Sequence, residues 1–220
     1  MKITACLLIL LFNSLLSPAQ LRKGQWMVGG TADFNHAVND NTSSSFEQRI
    51  KQTVYNVFPG AGYFFIDQFV VGPRISISNS KTKDKAINPS FGYDYQGVIK
   101  KSGIGIGTFA RYYLFKPKNK FNAFAEAAYT YSIEKVKTET QQVFQQPGGF
   151  PVFSQSQTES KHKVNYYSLT VGPVLFLSPK VSFELSIGYT YGKGSEENTN
   201  LDLKANRVSI GTGFQVFMGK

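Results

Sequence analysis

The chain has 220 residues, of which 41% are hydrophobic and 15% aromatic, and its formal charge is +10 at pH 7. A charge of this size is compatible with a nucleic-acid partner, but the basic residues are scattered rather than clustered, which argues against one. After the N-terminal segment no stretch approaches the roughly 18 apolar residues of a transmembrane helix, which excludes a helical membrane protein. The only cysteine, Cys6, lies in that N-terminal segment. The mature chain is therefore predicted to lack disulfides, a thiol nucleophile and cysteine-based metal sites.

The N-terminal segment has the three parts of a secretory signal peptide. Lys2 supplies the positive charge, residues 3–12 are almost uniformly apolar, and small residues precede a cleavage point after Ala19. The apolar part is about ten residues long, half of what a membrane-spanning helix needs. We therefore predict a signal peptide over residues 1–19 and a single mature domain over residues 20–220.

The mature chain is predicted to form eight strands, because apolar and polar residues alternate over segments of about ten residues. In chain order these strands cover residues 24–34, 51–63, 69–78, 103–115, 121–134, 164–177, 181–191 and 205–217. In the fourth strand, Ile104 and Ile106 lie on one face and the glycines beside them lie on the other. Each interior glycine would cost a helix about 1 kcal/mol, so the pattern favours an all-β chain.

The connections between these strands alternate between long and short. Four long polar segments are predicted as loops, over residues 35–50, 79–102, 137–161 and 192–204, and three short turns lie near residues 66–68, 116–120 and 178–180. Three prolines fall inside strands near the short turns. A closed sheet has no free edge where a missing donor is harmless, so we predict a β-bulge at each of Pro59, Pro73 and Pro173.

Aromatic side chains on the apolar faces fall at two levels. One set lies toward the short turns (Trp26, Tyr63, Phe69, Tyr112, Phe121, Phe214) and the other toward the long loops (Phe34, Tyr55, Tyr129, Tyr131, Tyr167, Tyr189, Tyr191). Two aromatic belts, an apolar outer face and a polar inner face are typical of a transmembrane β-barrel. We predict an eight-stranded antiparallel up-and-down transmembrane β-barrel with short periplasmic turns and long extracellular loops. A soluble barrel of the lipocalin type would instead need a polar outer face.

Five charged residues fall on the inward faces of the predicted strands: Arg74, Arg111, Glu126, Glu184 and Arg207. Unpaired buried charges are very costly, so these residues are predicted to pair across the lumen. An eight-stranded barrel leaves an interior just wide enough for side chains. The favoured interpretation is a structural network that fills the barrel, and the alternative is a path for ions or protons.

The sequence offers one weak candidate for catalysis and one for a metal. Residues 159–162, Glu-Ser-Lys-His, contain the residue types of a Ser–His–carboxylate site, but a histidine at a barrel rim is more often simply hydrated. Asp33, Asn39 and Asp40 supply oxygen ligands for calcium at a loop base, without the spacing of an EF-hand loop. We predict no enzyme activity, no metal and no cofactor.

With its signal peptide, strand alternation, loop rhythm and interior Arg and Glu residues, the chain resembles the small eight-stranded outer-membrane β-barrels of Gram-negative bacteria, a group often described as porin-like. The resemblance covers nearly the whole mature chain and implies a location in the cell outer membrane. The chain departs from the family's pattern at its end, where Phe217 is followed by Met218-Gly219-Lys220 instead of closing on an aromatic residue.

The leading functional hypothesis is a non-enzymatic barrel with an envelope-structural or surface-interaction role. Its partners would be outer-membrane lipid and lipopolysaccharide, which balance the positive charge, and an extracellular ligand held by the four predicted loops. The third of these loops combines glutamines with Phe144, Phe150 and Phe153, a mixture typical of contact surfaces. The alternatives are a small-solute pore and, third, a lipid-modifying enzyme.

Overall fold

The computed structural model describes residues 21–43, 46–88, 92–116, 120–144, 150–196 and 202–219. The predicted signal peptide lies outside the described residues. Eight strands make up most of the chain: β1 (Trp26–Ser43), β2 (Phe46–Ile66), β3 (Phe69–Asn88), β4 (Tyr93–Tyr113), β5 (Phe121–Phe144), β6 (Val152–Ser178), β7 (Val181–Glu196) and β8 (Asp202–Met218). Within the described ranges there is no helix long and apolar enough to cross a membrane, a finding that has no bearing on crossing by strands.

The strands form a closed antiparallel barrel. Each strand pairs with its neighbour in chain order, and β1 closes against β8. This confirms the eight-stranded up-and-down barrel predicted from the alternation. The closing seam is short, because β1 pairs with β8 only from Trp26 to Asp33, whereas β5 pairs with β6 along its whole length. The wall is therefore tallest at β5 and β6 and lowest at the seam.

The short turns lie at the end of the barrel where the described chain begins and ends, which is the periplasmic end in barrels of this kind. Between β2 and β3 the chain turns through Asp67 and Gln68, and Gln68 has a positive φ of 68°. The side-chain amide of Gln68 donates to the carbonyl of Tyr113 at 3.0 Å, and its backbone N–H donates to the carbonyl of Leu21 at 3.0 Å. The turn thus ties the N-terminal segment to β4 and holds Leu21 beneath the barrel.

The polar segments predicted as long loops are mostly paired strand, so the predicted strand ends at the outer end are wrong. Residues 35–50, 79–102, 137–161 and 192–204 contain the outer ends of all eight strands. Cross-strand pairs of Thr, Ser, Gln and Val sustain a sheet in water as well as in a membrane. A membrane-spanning strand needs only about 9–11 residues. β5, with 24 residues, and β6, with 27, therefore project well beyond the bilayer.

The pleat places the apolar faces outward, as predicted. Ile106 and Leu185 are exposed on the outer wall, and Ser186 lines the lumen.

The two aromatic belts are separated by the height of an apolar belt. Phe121 and Tyr131 lie ten residues apart on β5. With a strand tilt of roughly 40°, this separation is about 25 Å along the barrel axis, the height of the apolar belt of a transmembrane barrel. Rings lie 5.0–5.4 Å apart in the pairs Trp26–Tyr63 at the periplasmic belt, and Phe34–Tyr55 and Tyr129–Tyr167 at the outer belt.

The three strand prolines do not form the predicted bulges. The register between β2 and β3 is the same before and after Pro59 and Pro73, and that between β6 and β7 is the same on either side of Pro173. The register shifts lie instead beside the short turns, after Phe64 in β2 and after Phe176 in β6. A proline removes one donor but adds no residue, so the ladder loses a bond without changing register.

Candidate functional site

The periplasmic end of the lumen is filled by apolar side chains, here called the apolar floor. Its members are Leu21, Met27, Phe64, Val70, Phe109, Tyr113, Phe124, Val174, Phe176 and Phe217. The expectation of a polar interior is wrong at this level, because the turns and the N-terminal segment exclude water and the side chains pack as in a soluble core. The sequence did carry a signal, since residues 63–66 and 174–177 are apolar at every position, which indicates burial on both faces of a strand.

A layer of alternating charges lies next to the apolar floor. Arg74 lies 3.2 Å from Glu126, Glu126 lies 2.7 Å from Arg111, and Arg111 lies 2.8 Å from Glu184. None of these four side chains exposes more than 10% of its surface. The two cations and two anions balance, so burial leaves no net charge in the lumen. These four residues are called the charged layer.

Arg111 joins the charged layer to the apolar floor. Arg111 and Glu126 are direct cross-strand partners on β4 and β5, while Glu184 reaches Arg111 from β7. The guanidinium lies 4.2 Å from the centre of the Phe124 ring, and Nη1 donates to the hydroxyl of Tyr113 at 3.3 Å. A planar group with five donors can bind two carboxylates and rest on an aromatic ring at the same time, which a lysine cannot do.

Arg74 holds the other end of the charged layer. Its Nε donates to Thr130 Oγ1 and its Nη2 donates to Ser168 Oγ, both at 3.2 Å. Its ladder partners are Gly60 on β2 and Gly107 on β4. Because neither partner has a side chain, Arg74 has room to reach from β3 over β4 to β5 and β6.

Arg207, the fifth predicted member, stands apart from the charged layer. Its Nη2 lies 3.5 Å from Asp33, which also accepts a hydrogen bond from Asn56. The Arg207 side chain is 31% exposed, far more than the four buried residues. The pair crosses the seam between β8 and β1 at the last residue of β1 that pairs with β8. Sequence reasoning missed Asp33 as the partner, although its inward position and opposite charge were visible.

A third polar group, which sequence reasoning also missed, lies higher in the lumen. Glu134 on β5 is almost fully buried and lies 2.7 Å from Lys101 Nζ. The hydroxyl of Tyr166 on β6 donates to the same carboxylate at 2.5 Å. Lys101, Glu134 and Tyr166 come from three consecutive strands, so they tie the wall together where it leaves the membrane.

Above the charged layer the lumen widens into a polar vestibule of about 320 Å³. Hydroxyl and amide side chains dominate its wall, among them Asn35, Gln52, Asn56, Ser76, Ser78, Asn79, Thr130, Ser132, Ser168, Thr170, Ser186, Thr190, Asn206 and Ser209. At the level of the charged layer there is a cavity of only about 20 Å³, room for one water molecule since one needs roughly 10–15 Å³. The vestibule is therefore closed at its periplasmic end.

The Ser–His cluster lacks the geometry of a catalytic triad. Ser160 Oγ lies 3.1 Å from Nε2 of His162, and a carboxylate oxygen of Glu196 lies 3.9 Å from the same nitrogen. In a triad the serine and the carboxylate contact different ring nitrogens. The other nitrogen, Nδ1, is buried and has no hydrogen-bond partner among the described residues. Glu159 is engaged elsewhere, by Lys137 at 3.1 Å.

The residues considered for calcium do not converge. Asp33 faces the lumen beside Asn56, whereas Asp40 is exposed and pairs with Arg49 at 2.7 Å. In the part of the chain that the structure describes, no group of three or more His, Cys, Asp or Glu side chains is arranged to hold a metal ion.

A closed eight-stranded barrel with an apolar outer face, two aromatic belts and a polar vestibule is characteristic of a small transmembrane β-barrel. Residues 4–215 match the model of the outer membrane protein beta-barrel domain family, and the chain belongs to that family. The protein is therefore located in the outer membrane.

Among solved structures the chain is similar to three small barrels. They are OprG from Pseudomonas aeruginosa (12% identity, 93% of this chain and 100% of that chain, TM-score 0.42), the N-terminal barrel domain of OprF from the same organism (10%, 89% and 98%, 0.40) and neisserial surface protein A, NspA (17%, 88% and 97%, 0.39). No curated protein matches the sequence.

Proposed function

We propose that this protein is a non-enzymatic barrel that acts through its outer surface and does not conduct solutes. The observation that carries the proposal is the closed lumen. A solute that entered the vestibule would meet the charged layer, where the free volume is about 20 Å³, and then the apolar floor. Moving an ion through such a floor would carry the full cost of desolvation.

The projecting strands supply the surface on which the protein would act. β5 and β6 form the tallest hairpin, and at its tip the side chains of Phe150 and Phe153 are 93% and 74% exposed. On the adjoining strand Tyr93 lies with its ring centre 5.0 Å from that of Phe144. Exposed aromatic side chains beside polar ones are characteristic of surfaces that contact another molecule. The hairpin tip supports a surface-interaction role more than a purely structural one.

The pore and enzyme alternatives have weaker support. A pore needs a continuous water-filled passage. The inward glycines Gly103 and Gly105 on β4 do not provide this passage, because the side chains of Ser76, Ser78 and Thr130 occupy the space beside them. A lipid-modifying enzyme needs a nucleophile and a base held by a third group, and the arrangement at His162 does not supply it.

Conductance in planar bilayers tests the closed lumen. The wild-type protein should show no steady unitary conductance. Replacing Phe64, Tyr113, Arg111 and Glu184 with alanine should open both the apolar floor and the charged layer and produce discrete steps. Phe65→Ala, which changes an outward side chain on the same strand as Phe64, should not. A stable unitary step in the wild-type protein would establish the pore alternative instead.

Complementation of a deletion strain tests the surface role. Thr138 and Thr158 are direct partners on β5 and β6, so residues 139–157 can be exchanged for an Asn-Gly turn that keeps the register of the two strands below it. The shortened protein should fold in the membrane but fail to restore the wild-type phenotype of the deletion strain, whereas the protein with the opened lumen should restore it. Full restoration by the shortened protein would contradict the role of the hairpin.

A further inference from the structure

Beyond the outer aromatic belt, lysines face lysines on neighbouring strands. Lys51 lies directly opposite Lys83, and Lys81 lies directly opposite Lys100. Lys100 is also the partner of Lys137 on its other side. All five side chains are exposed. Like charges in directly opposed positions destabilise a sheet, so this arrangement calls for a reason outside the sheet itself.

The arrangement continues around the barrel. Lys135 lies opposite Lys161, and Lys193 lies opposite Lys204. Every strand from β2 to β8 thus contributes at least one lysine. The lysines of these opposed pairs are called the lysine belt.

The lysine belt occupies a narrow band of height on the outer wall. Lys193 follows Tyr191 by two residues and Lys135 follows Tyr131 by four, in the same outward alternation. At about 3.3 Å per residue and a strand tilt of roughly 40°, the Cα atom of Lys193 lies about 5 Å beyond the aromatic belt and that of Lys135 about 10 Å beyond it. This is the level of lipid headgroups, and a lysine stem is long and flexible enough to adjust to it.

Acidic residues of the wall neutralise only part of the lysine belt. Lys100 pairs with Glu139 at 2.8 Å, and Lys137 pairs with Glu159 at 3.1 Å. Among the described residues, no carboxylate lies within ion-pair distance of Lys83, Lys135 or Lys161. The belt therefore keeps a net positive charge, all of it facing outward.

We propose that the lysine belt binds the phosphate groups of phosphorylated glycolipid in the outer leaflet. The shape of the belt selects this occupant, because a planar layer of headgroups touches adjoining strands at one height all around a barrel, whereas a soluble anion or a protein would contact one side. Phosphates between opposed lysines relieve the repulsion within each pair. The lysine belt lies on the side wall, apart from the hairpin tip and from the closed lumen.

Unfolding by urea in vesicles of defined composition tests the proposal on the full mature chain. The vesicles contain phosphatidylcholine alone, with added lipid A, or with dephosphorylated lipid A. Lipid A should bind to the wild-type protein and raise its urea midpoint. Dephosphorylated lipid A should neither bind nor raise the midpoint. In the variant with Lys83, Lys135, Lys161 and Lys193 changed to glutamine, lipid A binding should fall roughly tenfold or more. In phosphatidylcholine alone the same variant should be as stable as the wild type or more stable, since four repelling charges are gone.

Two matched variants separate phosphate binding from general effects of charge and folding. Changing Lys23, Lys116, Lys120 and Lys180 at the periplasmic end to glutamine removes the same charge and should leave the effect of lipid A intact. Changing the four belt residues to arginine keeps the charge and should also keep the effect. The proposal is overturned if lipid A stabilises the glutamine belt variant as much as the wild type, or if inorganic phosphate in phosphatidylcholine vesicles reproduces the stabilisation.

Discussion

Arg111 on β4 and Glu184 on β7 meet across the lumen, with Nη1 of the arginine 2.8 Å from both carboxylate oxygens. These strands are not neighbours in the sheet, so the contact braces the barrel from within. Gln215 on β8 donates to the same carboxylate at 3.3 Å. A buried carboxylate held by donors from two other strands is stable only while all of them are present.

Replacing Glu184 with glutamine should lower the free energy of unfolding by about 3–5 kcal/mol. The buried charge of Arg111 would then have only Glu126 as an anionic partner, and Arg74 shares that carboxylate. Urea unfolding in lipid vesicles measures the loss. Glu139→Gln breaks the exposed pair with Lys100 and serves as the control, which should change stability little. Equal losses at both positions would show that the pair across the lumen is not structural.

Replacing Leu185 with arginine should cost about 2–4 kcal/mol, since it puts a charge on the lipid face near the bilayer midplane. The neighbouring Ser186→Arg should cost less, because that side chain points into the polar vestibule. Equilibrium unfolding from vesicles compares the two variants. A larger loss at Ser186 than at Leu185 would contradict the assigned faces of β7.

Adding a methyl group at Gly105 should destabilise the barrel by about 1–3 kcal/mol, as overpacking does. A Cβ there would lie 2.6 Å from Ser76 Oγ and 2.7 Å from the carbonyl oxygen of Tyr131, and a backbone atom cannot move aside. At Gly188 the close atom is the side-chain oxygen of Thr170, at 2.9 Å, which can rotate away. Gly105→Ala should therefore lower the urea midpoint more than Gly188→Ala. The reverse order would contradict the close contacts of Gly105 with Ser76 and Tyr131.

The carboxyl of Glu139, on the part of β5 that projects beyond the membrane, should titrate below its ordinary pKa of 4.5, because it accepts a hydrogen bond from Lys100 and feels its charge. A depressed folded-state pKa contributes stability that is present above the unfolded value and is lost as the pH falls through the folded value. Carbon-detected NMR of the carboxyl measures the titration. Lys100→Gln should raise the pKa of Glu139, whereas Lys116→Gln at the other end of the barrel should leave it unchanged.

The faces of the strands were predictable because side-chain alternation is a local property of a strand. Ile106 and Leu185 outward, Ser186 inward and the two aromatic belts all follow from the period of two, which holds whatever the partner strand is. The inward position of Arg111 and Glu126 followed in the same way, and an eight-stranded lumen brings such residues within reach of one another.

The ends of the strands and the partners of the charges depended on the closed sheet. Polar sequence at Thr138 or Thr140 reads as loop in isolation and becomes strand because a neighbouring strand supplies hydrogen bonds along its whole length. Arg207 joins Asp33 and not the charged layer, because closure of β8 against β1 sets their relative height. The apolar floor likewise forms only when the turns and Leu21 cover that end of the barrel and exclude water. Alternation within a strand is local and could be read from the sequence, whereas register, closure and burial arise between segments far apart in the chain and only the tertiary structure decided them.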